Sequence, residues 1–148
     1  MFKKLLIAAA LLSSTGLSIA QAPTPAALPR TAAPAGAKVY IVSPANNATV
    51  KSPVTIVFGL SGMGIAPAGV QSENTGHHHL LVDTAIPKDT GVPLPNNDNI
   101  RHFGKGQTEA SIELKPGKHT LQLVLGDHQH IPFNPVVASQ QITITVAP

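Results

Sequence analysis

Residues 109–125 read EASIELKPGKHTLQLVL. Ala110, Ile112 and Leu114 alternate with Glu109, Ser111 and Glu113, and Leu121, Leu123 and Leu125 alternate with Thr120, Gln122 and Val124. A period of two puts apolar side chains on one face of an extended strand and leaves the other face to water. Lys115-Pro116-Gly117-Lys118 between the two runs has turn chemistry, so the stretch is expected to close as a tight hairpin. The same reading extends outward. Val39 to Val42 is a short apolar run ended by Ser43-Pro44, with Asn46-Asn47 as a turn after it. Val54, Ile56 and Phe58 alternate with Thr55 and Val57; Leu80-Leu81-Val82 and Ile142, Ile144 and Val146 supply two more strands. No sustained helical stripe occurs, and 14 prolines oppose long helices. The expected fold is all-β: an immunoglobulin-like antiparallel β-sandwich of about seven short strands, with two long loops at 60–76 and 84–100. With no Trp and no Cys, any likeness to antibody domains is architectural.

The start of the chain has a different logic. Met1-Phe2-Lys3-Lys4 precedes an apolar run from Leu5 to Leu12 and small residues ending Ser18-Ile19-Ala20. A positive start, an apolar stretch too short for a bilayer and small residues before a cut describe a secretory signal peptide. Residues 1–20 are so assigned, with cleavage expected after Ala20 or, second, after Ala22. Residues 21–37 are rich in Ala and Pro without apolar periodicity and are read as a flexible leader; residues 38–148 form the domain. The expected location is periplasmic or secreted.

Setting aside Lys3, Lys4 and Arg30, seven of the 10 basic residues remain against 7 acidic ones. Such a balance offers no footprint for nucleic acid and no polybasic membrane patch. No second apolar run approaches the ~20 residues of a membrane span, so none is expected in the mature chain. Without cysteine there are no disulfides, although the compartment would permit them.

All 7 histidines lie in the domain: His77-His78-His79, His102, His119, His128 and His130. On extended backbone, residues two apart share a face, so His77 pairs with His79 and His128 with His130. If the strand starting near His77 lies antiparallel to the strand 119–126, both pairs meet at one rim. The hairpin at 109–118 would then bring Arg101, His102 and Phe103 to that rim, and the loop holding Met63 ends there. His119 starts its strand at the opposite rim. Imidazole suits copper, zinc, iron and nickel, and copper(II) binds tightest among divalent ions. Structural zinc sites generally use thiolates, which are absent. The expected cofactor is therefore a copper ion, with zinc second, held by His77, His79, His128 and His130, then His102, with Met63 as a further thioether. Glu73, Asp83 and Asp127 are candidates to orient the rings. Metal affinity is expected to fall below pH ~6.5, where free imidazole protonates. A bland reading stands beside this: histidines pinning loops, with His78 packed beside Leu80 and Val82.

Other chemistry finds no support. Gly104-Lys105-Gly106 lacks the upstream glycine and the following Ser or Thr of a phosphate loop. There is no GxSxG elbow and no cysteine nucleophile, so the chain reads as more a binder than an enzyme.

The stretches 76–83 (GHHHLLVD), 102–109 (HFGKGQTE), 116–127 (PGKHTLQLVLGD) and 130–135 (HIPFNP) resemble those of small exported bacterial proteins classed as domain of unknown function 4399. The resemblance covers nearly all of Val39 to Val146. It implies an exported single-domain protein and carries no activity with it. The function expected from the residues is that of a periplasmic metal-binding module, with a metal ion or a periplasmic protein as partner. A metal-independent protein or glycan interaction domain is the first rival, and a copper-dependent redox enzyme the second.

Overall fold

The computed structural model describes residues 29–148. The expected signal peptide and residues 21–28 of the leader lie outside them. The alternation found in the sequence becomes nine strands: β1 (Lys38–Ser43), β2 (Thr49–Val50), β3 (Val54–Ser61), β4 (Gly64–Ile65), β5 (Thr75–Val82), β6 (Ile100–Phe103), β7 (Glu109–Ile112), β8 (Gly117–Gly126) and β9 (Ile142–Val146). They build two packed sheets, a smaller one ordered β1-β3-β7 and a larger one ordered β2-β9-β8-β5-β4, with β6 also pairing β5. Apart from β2 on β9 and β4 on β5, every pairing is antiparallel. A sheet in which β3 lies between β1 and β7, facing one in which β8 lies between β5 and β9, is the strand arrangement of an immunoglobulin-like sandwich. Among the described residues no helix is long and apolar enough to cross a membrane.

Burial follows the period of two. Val39, Val54, Ile56, Phe58 and Ile112 of the small sheet pack against Leu80, Val82, Leu121, Leu123, Leu125, Ile144 and Val146 of the large one. The large sheet also has a covered outer face. There Leu81, Ile100 and Val124 meet Leu94 from the loop after β5, with Val136 and Ala138 from the segment before β9. A sheet buried on both faces explains why Leu80-Leu81-Val82 is apolar without alternation.

Two expectations are corrected. Residues 109–118 do not close as a hairpin, because β7 pairs with β3 in the small sheet while β8 pairs with β5 and β9 in the large one. The Pro116-Gly117 connection is a corner between layers. It lets Ile112 and Leu121 occupy the same core from opposite sides, which two neighbours in one sheet cannot do. The described part of the leader, moreover, is docked. Ala33 N donates to Asn134 O at 2.9 Å and Asn134 N to Thr31 O at 2.9 Å, and Arg30 Nε donates to Pro132 O at 3.1 Å. Low apolar content did not leave these residues loose, because backbone groups of 132–134 accept and donate to them.

Candidate metal centre

Strand β5 divides its three consecutive histidines between two environments. His78 points inward with Leu80 and Val82. Its ring lies 5.0 Å from that of Phe58, and its Nδ1 donates to Gln107 O at 3.2 Å. Burial lowers the His78 pKa, partly offset by that hydrogen bond. His77 and His79 point to the outer face with Leu81.

On that face the ladder supplies the neighbours. His79 is opposite His102 across the β5–β6 pair, so these two rings share a face. His77 is opposite Gly126 of β8, where no side chain competes for the space. A Cβ at Gly126 would come 2.7 Å from Cε1 and 3.1 Å from Nδ1 of His79. Gly104 does the same for His102: a Cβ there would lie 2.2 Å from Cε1 and 2.4 Å from Nε2 of the ring. The fourth ring comes from beyond β8. Asp127 starts a turn in which His130 N donates to Asp127 O at 2.9 Å. The Asp127 carboxylate accepts from Gln129 N at 2.9 Å and Ile131 N at 3.0 Å. His130, with φ of 67°, ends the turn with its ring against His77, Nδ1 to Nε2 being 3.1 Å apart.

His77, His79, His102 and His130 each present one nitrogen, all within 4.8 Å of one another. Ring centroids are separated by 4.6 Å for His102 and His130 and by 6.0 Å for His79 and His130. One ion at the usual ~2.0–2.1 Å from four nitrogens needs them about 3.4 Å apart, so modest ring rotations close the set. The four residues can hold a metal ion.

Electrostatics favours the ligand form of the rings. His77 and His79 are 0% and 1% exposed. Burial is the main cause that lowers the His79 pKa to about 2, with the neighbouring His77, His102 and His130 adding to it. Burial again leads for His77, lowered to about 4, with His102 and His130 adding and the Asp127 carboxylate opposing. His102 is lowered by burial and then by His130. Neutral imidazole is what a metal requires. Yet Nδ1 and Nε2 of His79, Nδ1 of His77 and Nε2 of His102 are buried with no hydrogen-bond partner. Each such orphan costs about 1–3 kcal/mol. An ion takes one nitrogen from each ring, so the pocket holds lone pairs that a purely structural network would pair and a coordination site would use.

The other residues proposed from sequence lie elsewhere. His128 is outside the group: i, i+2 sharing of a face holds on a strand, and residues 127–130 form a turn. Its carbonyl accepts from Gly69 N at 2.9 Å, and its side chain lines a separate hollow with Thr31, Glu73 and Asp127. Met63 packs against the core between the sheets. Among the carboxylates, Glu73 is exposed, Asp83 pairs with His119, and Asp127 serves the turn. His102 arrives through β6, a strand too short for the alternation of apolar residues to reveal. The cluster therefore sits at one end of the outer face, under the loops, and is built from β5, β6 and one turn. Gly104 and Gly126 escaped the sequence reading; a glycine next to each histidine segment was their only signal.

The family described as Domain of unknown function (DUF4399) matches residues 56–147, and the chain belongs to it. That span contains all four rings. No curated protein and no solved structure matches the chain.

Proposed function

We propose that this protein is a metal-binding module whose ion is copper, held by His77, His79, His102 and His130. Four imidazoles brought together from three elements, three of them with orphaned ring nitrogens, carry the reading. Copper is favoured over zinc because the set is all nitrogen, without thiolate, and copper(II) is the tightest divalent ion for such ligands. The signal-like N-terminus supports a periplasmic place of work, where the module would deliver, buffer or sense the ion. Two rings are deeply buried and no nucleophile motif accompanies them, which supports holding an ion over turning over a substrate. Because burial keeps His77 and His79 neutral, protons compete for these two rings only well below pH 6.5.

Calorimetric titration with copper(II) and with zinc(II) tests the reading. One ion per chain, bound more tightly than about 1 μM, is expected, with copper ahead. His79→Ala with His102→Ala should abolish binding, whereas His128→Ala should leave it unchanged. Micromolar or weaker binding, indifferent to the double substitution, would end the proposal.

A further inference from the structure

Three of the four rings stand on ladder strands, while His130 stands on a turn, so its position depends on whatever holds residues 127–134. Leu94 N donates to His130 O and Gly69 N to His128 O, both at 2.9 Å, and the rest of the hold from outside the turn includes the chain before β1. Thr31 Oγ1 donates to Asp127 Oδ2 at 2.7 Å, on a carboxylate that is 2% exposed and whose other oxygen organises the turn. Arg30 donates from Nε to Pro132 O at 3.1 Å and from Nη2 to Phe133 O. Ala32 bridges Asn134 in parallel, through the backbone bonds of Thr31 and Ala33. These bonds flank His130 on both sides in sequence.

We infer that Arg30 to Ala33 form a positioning strap for His130, so that metal affinity is coupled to the docking of the segment that precedes the first strand. The inference rests on the metal reading above. Arg30 and Thr31 touch no ligand; they act through the turn. Coupling of this kind is reciprocal: an ion that needs His130 in place must hold the strap down by the same factor. The Arg30–Thr31 peptide bond is a tryptic site at the strap itself, so its cleavage rate reports the docking.

The test compares the full chain with Arg30→Ala/Thr31→Val, with Thr31→Val alone as the milder variant, using copper(II) as the probe. Affinity is expected to fall about tenfold or more in the double variant. Its electron paramagnetic resonance spectrum should become that of His130→Ala, with one nitrogen fewer, and Thr31→Ser should restore the wild-type spectrum. One equivalent of copper should slow cleavage after Arg30 in the wild type and not in His130→Ala. Wild-type affinity and spectrum in both strap variants, alongside altered ones in His130→Ala, would overturn the strap. If the wild type binds no copper, the metal reading fails by itself. The strap is then judged by amide hydrogen exchange at Gln129 and Ile131, where faster exchange in Thr31→Val supports it and an unchanged rate overturns it.

Discussion

Strands β5 and β8 run antiparallel with a histidine site at each end of the pair, and the two sites are opposites. At one end four imidazoles face each other with several nitrogens unsatisfied. At the other, His119 has an acceptor for each nitrogen: Asp83 Oδ2 at 2.7 Å from Nδ1 and Lys115 O at 2.8 Å from Nε2. Two acceptors require two donors, which only the imidazolium supplies. Accordingly the His119 pKa is raised, chiefly by its hydrogen bond to Asp83, whereas burial and like neighbours lower those of His77 and His79. Acceptors hold a proton in place; their absence leaves lone pairs for a cation.

The largest effect should come from His79→Leu. Copper binding should drop by at least about 100-fold, while the metal-free protein gains about 1–2 kcal/mol in denaturant unfolding, because two orphaned nitrogens leave the interior. Destabilisation of the metal-free protein would show that the ring is a structural anchor. Acid should act next. Unfolded rings titrate at 6.5, the folded His77 at about 4 and His79 at about 2. Below pH 6.5 the unfolded chain takes up protons that these folded rings refuse. Stability from this source is thus full above pH 6.5 and falls as pH drops towards 4, by about 1–2 kcal/mol per ring at pH 5. Thermal melts across pH 7 to 4, with and without His79→Leu, measure it.

Gly104→Ala should have a more local effect. Its methyl would occupy the place of the His102 ring, lowering copper affinity about tenfold with the β-sheet circular dichroism unchanged; unaltered affinity would mean His102 is not a ligand. The smallest effect belongs to the opposite pole. Since the folded His119 pKa is raised, its pairing stabilises the protein below pH 6.5 and is lost as pH rises through the folded value. Asp83→Asn should therefore cost under about 1 kcal/mol at pH 6, less at pH 8, and leave copper binding untouched.

Much of the fold was legible because burial in a sandwich obeys a period of two. Leu121, Leu123 and Leu125 announced an inward face, and His77 and His79 a shared one. The pairing partner of Glu109–Ile112 was not legible, since a proline-glycine corner has the same local chemistry whether it closes a hairpin or joins two sheets. His128 was misplaced for a related reason: parity was applied across a segment that turns. Asp127, which accepts the amide protons of that turn, was the sequence sign that the backbone leaves the strand there.

By itself the sequence determined the strand class, the two faces of β5 and the wealth of imidazole in a chain without thiolates, because these depend on residue type and spacing alone. Tertiary structure decided which imidazoles meet. His102 joins through an edge pairing, His130 through a turn held by Arg30 and Thr31, and both contacts are set by segments far apart along the chain.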